Sequence, residues 1–172
     1  MKVRWNISMI KNGREVYLFN PYRMSEWTNE DIKNQFDILI DSYDSEAGTM
    51  GGYANNIENL ANQLYLISET IARISKDVTL LKSEIETEYN KQVYIERSSW
   101  ESKHKGKAPA MTYFQALANS DKSIMSMRQK LAEYDSRLKR FKGAYDSLEE
   151  KLNAQKKQME ALKYELSARD LW

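Results

Sequence analysis

From Ile57 the chain places an apolar residue at alternating steps of three and four without a miss: Ile57, Leu60, Leu64, Ile67, Ile71, Ile74, Val78, Leu81 and Ile85. That spacing keeps one stripe of a helix turned toward a partner, so it predicts a long helix paired in coiled-coil fashion. At Tyr89 and Val93 the repeat slips to a four-residue step, a stutter that locally unwinds a supercoil. A second series starts at Leu117 and runs through Ile124, Leu131, Leu138, Phe141, Leu148 and Leu152 to Leu166, with Ser120 and Gln155 as polar interruptions. Between the two series, Gly106 and Pro109 break either helix, which predicts a loop near 98–112. Folding about that loop gives a long antiparallel helical hairpin with arms of about 60 and 75 Å at 1.5 Å per residue. In this register Ile57 falls near Leu152 and Ile85 near Ile124, and the second arm overhangs the first.

The chain ahead of the repeat has a different period. Val3, Trp5, Ile7 and Met9 alternate with Lys2, Arg4, Asn6 and Ser8, as a half-buried strand requires. Asn12-Gly13 suits a type I′ turn, and folding around it pairs Met9 with Val16 and Ile7 with Leu18. A β-hairpin over about 2–19 follows. Thr28 and Asp31 then signal a helix start, with Ile32, Phe36, Ile40 and Tyr43 on one face. Gly48, Gly51 and Gly52 read as a hinge. The expected fold is mainly α: an N-terminal β-hairpin and short helix over 1–47, a glycine-rich linker over 48–55, and the helical hairpin over 56–172.

The 172 residues contain no cysteine and a single histidine, His104. Disulfides, thiolate metal sites and thiol nucleophiles are thereby excluded, and a histidine-based triad or multi-histidine metal centre has too few members. His104, between Lys103 and Lys105, reads as a solvated loop residue. Gly51-Gly52 lacks the lysine and hydroxyl of a phosphate loop, and no carboxylate pair has a spacing specific to catalysis. The chain is expected not to be an enzyme and to need no cofactor. No stretch has the apolar length of a membrane span, and residues 1–9 lack the apolar block of a signal peptide, so a cytoplasmic protein with no membrane partner is expected.

The net charge is only +1, but its distribution is uneven. Residues 26–46 carry a net −6, whereas 91–107 carry +3 and 128–143 carry +4. A bend near Lys105 brings both basic segments to the same half of the hairpin. The candidate nucleic-acid-binding residues are Lys91, Arg97, Trp100, Lys103, Lys105 and Lys107 at the tip, assisted by Arg137, Lys139 and Arg140. Tyr113 and Phe114 add rings beside them. Cations that follow phosphates, interleaved with rings that stack on bases, are what binds single strands irrespective of sequence. The alternative is that these are the solvated charges of a coiled coil. Tyr65, Leu66, Ile95 and Met125 lie beside the apolar stripes, and the C-terminal arm with Met159, Leu162, Leu166 and Trp172 has no partner in the hairpin, so a homo-oligomer is expected.

Asp121-Lys122, Leu131, Tyr134, Leu138, Gly143-Ala144 and Asp146 together resemble the second helix of the UvsY family, the recombination-mediator proteins of tailed phages. Gly143 is the telling member, because a glycine inside a helix costs on the order of 1 kcal/mol and no local rule requires it. Lys91, Arg97 and Trp100 are similar to the basic, aromatic end of that family's preceding helix, before a glycine-containing turn, here at Gly106. The loop is longer here, and Ile95 stands where the family can carry a lysine. The resemblance covers roughly residues 85–150. It implies a small homo-oligomer that binds single-stranded DNA, helps displace the single-strand-binding protein and loads a RecA-like recombinase, without nucleotide hydrolysis of its own. The competing expectation is a structural coiled-coil oligomer, a phage virion or assembly component that binds no nucleic acid.

Overall fold

The computed structural model describes residues 8–11, 14–17, 27–34 and 48–169, and within them the chain is mainly helical. Two short strands, β1 (Ser8–Lys11) and β2 (Arg14–Tyr17), pair antiparallel with Met9 opposite Val16 and Ile10 opposite Glu15. The rest of the expected hairpin, including its Asn12-Gly13 turn, lies outside the described residues. So do Phe36, Ile40 and Tyr43 of the short helix expected after Thr28. The start of that helix is described: residues 29–34 are helical, and Ile32 is buried.

Its cap is reciprocal. The Thr28 hydroxyl accepts the Asp31 N–H at 3.2 Å and donates to Asp31 Oδ2 at 2.7 Å, while the Thr28 N–H donates to the same oxygen at 2.9 Å. This is a capping box with Asp in place of Glu. The Thr28 hydroxyl, then the Thr28 backbone N–H, hold the Asp31 carboxyl below its ordinary value of 3.8. A carboxylate depressed in the folded state stabilises above its unfolded pKa and loses that contribution as pH falls through the folded one. Thermal denaturation followed into acid should therefore show stability declining below about pH 4, and Asp31→Asn should remove the part due to this cap.

Three helices follow: α1 (Met50–Lys103), α2 (Met111–Asn119) and α3 (Lys122–Arg169). The linker expected over 48–55 is corrected, because α1 already begins at Met50. Thr49 caps it, its hydroxyl accepting the Gly52 N–H at 3.0 Å and its carbonyl the Tyr53 N–H at 2.9 Å. Gly51 and Gly52 thus sit in a first turn, where N–H groups need a cap whatever the side chain. Among the described glycines, Gly48, at φ 135°, is the one with a backbone that other residues resist.

The loop near 98–112 is also narrower than its sequence suggests, covering 104–110. Nothing from 98 to 103 breaks α1, and its last turns carry their own bonds, from Arg97 to Glu101 and from the Ser102 hydroxyl to the Ser99 carbonyl. The second heptad series is not one helix. The Ser120 hydroxyl and N–H fold back on the Leu117 carbonyl, ending α2, and Asp121 Oδ1 accepts the N–H groups of Ser123 (2.8 Å) and Ile124 (3.2 Å), starting α3.

The chain divides into two compact units. The first comprises Met1–Arg73 with Arg137–Trp172, and the second is Ile74–Ser136. In the first, Leu60, Leu64 and Ile67 of α1 and Phe141, Leu148 and Leu152 of α3 are buried together with Ile32. Trp27 stacks on Phe141 at 6.5 Å between ring centroids. The heptad reading needs correction in this unit. Ile57 and Ile71 are only half-buried, whereas Asn56, Gln63 and Thr70, seven residues apart, are buried beside the apolar stripe with Gln155 of α3. The buried face of α1 is therefore wider than a two-helix seam, as on a helix packed by more than one neighbour.

In the second unit the core is apolar throughout: Ile74, Val78, Leu81 and Ile85 of α1, Phe114 and Ala118 of α2, and Ile124 of α3. An open groove of about 350 Å³ is lined by Ser83, Glu84, Thr87 and Glu88 of α1 and by Ser123 and Met127 of α3, which puts these stretches side by side. Arg128 reaches back along α3, as helical side chains do. It donates to Asn119 Oδ1 at 2.8 Å and lies over the Tyr89 ring at 5.9 Å, tying the start of α3 to both α2 and α1. Among the described residues, no helix is long and apolar enough to cross a membrane.

Candidate nucleic-acid interface

The second unit ends in α1's last turns, the 104–110 loop and α2. From Ser102 to Ser120 there is no acidic residue, and Lys103, Lys105 and Lys107 are all exposed. None of the three makes a side-chain hydrogen bond or ion pair among the described residues. Gly106 and Pro109 stop both helices here, so the lysines project from a segment with no heptad seam to serve.

Two further candidates have local partners. Lys91 pairs with Glu88 at 3.2 Å, and Arg97 pairs with Glu101 at 2.8 Å through one turn of α1. Exposed pairs of this kind contribute about 0–1 kcal/mol, so a phosphate can compete for either cation. Gln92 occupies Glu96 at 3.0 Å. Glu84 and Glu88 line the groove, and Glu88 is the partner of Lys91, so the groove is acidic and unsuited to a phosphate chain.

Trp100 is half-buried on the last turn of α1 and stacks on His104, with ring centroids 4.8 Å apart and planes 12° from parallel. His104 is exposed, yet it is not a free loop residue. Its N–H donates to the Trp100 carbonyl at 3.1 Å, and its Nδ1 lies 3.0 Å from the same oxygen. Sequence reasoning passed over this pair, although an i, i+4 spacing at a helix end is the signal that would have found it. Tyr113 is half exposed and meets buried Phe114 edge to face at 5.4 Å, so Phe114 packs the unit while Tyr113 stays available. Tyr94, more exposed still, is a ring that the heptad analysis left aside.

Arg137, Lys139 and Arg140 belong to the first unit, on α3. Lys139 and Arg140 are exposed and Arg137 is half-buried. The structure thus brings Arg97, Trp100, Lys103, Lys105 and Lys107 into one unit with Lys91, and assigns the three assisting cations to the other. Arg128, counted in the second basic stretch, is engaged by Asn119 and Tyr89.

Comparison of the chain with family models, with curated proteins and with solved structures gives no match.

Proposed function

We propose that this chain binds single-stranded DNA and acts as a recombination mediator, assisting displacement of the single-strand-binding protein and loading of a RecA-like recombinase. The observation that carries the binding is the acid-free segment 102–120, with three exposed lysines that have no side-chain partner among the described residues, in the same unit as the Trp100 and Tyr113 rings. Lysines there neutralise phosphates, and rings stack on bases of any identity. The recombination role rests on the resemblance of residues 85–150 to the UvsY family. The protein would act in the cytoplasm, that of the host if it is phage-encoded.

Self-association is part of the same reading. Tyr65, Leu80, Ile95, Met125, Tyr164 and Leu166 are exposed large apolar or aromatic residues on α1 and α3. Gly143 lies inside α3 with open space where a Cβ would stand, so nothing in the described chain requires a glycine there. The same exposed apolar surface favours a second reading, a structural coiled-coil oligomer without nucleic-acid binding. Titration of a fluorescent single-stranded oligonucleotide at two salt concentrations, with light scattering on the same samples, separates them. The mediator reading expects an oligomer whose DNA affinity falls steeply with salt. An oligomer with no binding at low salt leaves the structural reading, and a concentration-independent monomer defeats self-association in both.

A further inference from the structure

We propose that His104, backed by Trp100, is the ring on which a nucleobase stacks, an inference that rests on the nucleic-acid reading above and adds the residue that reads the base. Trp100 and His104 are nearly parallel and stacked with an offset, so the indole partly covers one face of the imidazole. The indole is half-buried and the imidazole exposed, which leaves the outer face of His104 as the open end of the stack.

Its orientation is fixed before any ligand arrives. The Trp100 carbonyl can only accept, so the 3.0 Å contact makes Nδ1 the donor, and the ring is held at the end of α1 by that bond and by the indole beside it, with the backbone N–H of His104 meeting the same oxygen at 3.1 Å. Nε2 is left on the outer edge. Lys103 and Lys105 adjoin His104 in the chain, both exposed and without a side-chain partner among the described residues, so cations for the phosphates of a bound strand stand one residue from the ring in sequence. A ring held in place loses little freedom on binding, which favours stacking on His104 over stacking on a mobile side chain.

The test compares two labelled oligonucleotides of equal length at low salt on the full-length protein, oligothymidylate and an abasic deoxyribose-phosphate chain. Both offer the same phosphates, and only the first offers bases. The wild type should prefer oligothymidylate by roughly tenfold. His104→Ala should abolish that preference with abasic affinity unchanged, and His104→Phe should keep it. A preference surviving in His104→Ala overturns the proposal. Equal loss on both oligonucleotides also overturns it, because His104 would then contact phosphate, and so does a His104→Phe variant as defective as the alanine one. A wild type that binds neither oligonucleotide refutes the nucleic-acid reading itself, a result distinguishable from all of these.

Discussion

Changing Lys103, Lys105 and Lys107 together to alanine should lower the affinity for single-stranded DNA by roughly a hundredfold at low salt and flatten the log-log salt dependence by about two units. The second figure follows from counterion release, in which each phosphate neutralised on a single strand contributes about 0.7 to the slope. The three side chains are exposed and unpaired, so their removal breaks no contact within the described chain. Thermal stability should accordingly stay within about 0.5 kcal/mol of the wild type, as for ordinary surface changes. Undiminished affinity in a variant that still assembles would mean that the tip is a solvated turn. Arg137→Ala, Lys139→Ala and Arg140→Ala in combination should have a smaller effect on binding, since those residues belong to the other unit and the ring beside them, Phe141, is buried and stacked on Trp27, not open to a base. An equal or larger loss from that second set would move the main contact surface to α3.

The largest effect on stability is expected from Phe141→Ala. Phe141 is 0% exposed, belongs to the unit whose other buried residues include Leu148 and Leu152, and carries Trp27 on its face. Truncation removes the apolar surface, the ring contact and the atoms that fill the site, a combination that costs about 3–5 kcal/mol. For a chain of this size that lowers Tm by roughly 10 °C or more. Phe141→Leu keeps most of the volume and should cost about 1–2 kcal/mol. Calorimetry or denaturation followed by circular dichroism measures both, and an alanine variant less than about 1 kcal/mol weaker would show that the site is poorly packed.

The long helices were legible because an unbroken 3-4 repeat reports the buried stripe directly. It misjudged the stripe's width. Ile57 and Ile71 satisfied the pattern by hydrophobicity, yet Asn56, Gln63 and Thr70 take deeper positions because the face extends past one seam. The break at Ser120-Asp121 was concealed for a related reason. Leu117 and Ile124 are seven apart, so the repeat reads through two non-helical residues, although Asp121 followed by Ser123 carried a capping signal.

At the candidate interface, charge density pointed to the tip but could not say which cations were already engaged. Lys91, Arg97 and Arg128 resemble Lys103, Lys105 and Lys107 in composition and differ only in having Glu88, Glu101, and Asn119 with Tyr89 within reach. For the first two the partner was visible as an i, i+3 or i, i+4 neighbour. The Arg128 contacts depend on where the chain folds back, which no local pattern specifies.

The two interruptions that bound α2 leave a nine-residue helix, shorter than any that holds its shape alone in water. Its order is borrowed from the unit beneath, through Phe114 at 1% exposure and Ala118 at 0%. Amide hydrogens of 111–119 should therefore exchange through a local opening that spares α1 and α3, and any change that loosens Phe114 should widen the gap in protection between them. The loop that carries Lys105 and Lys107 is anchored at its far end by this conditional helix, so the geometry offered to a ligand is set by one buried phenyl ring and not by the basic residues themselves.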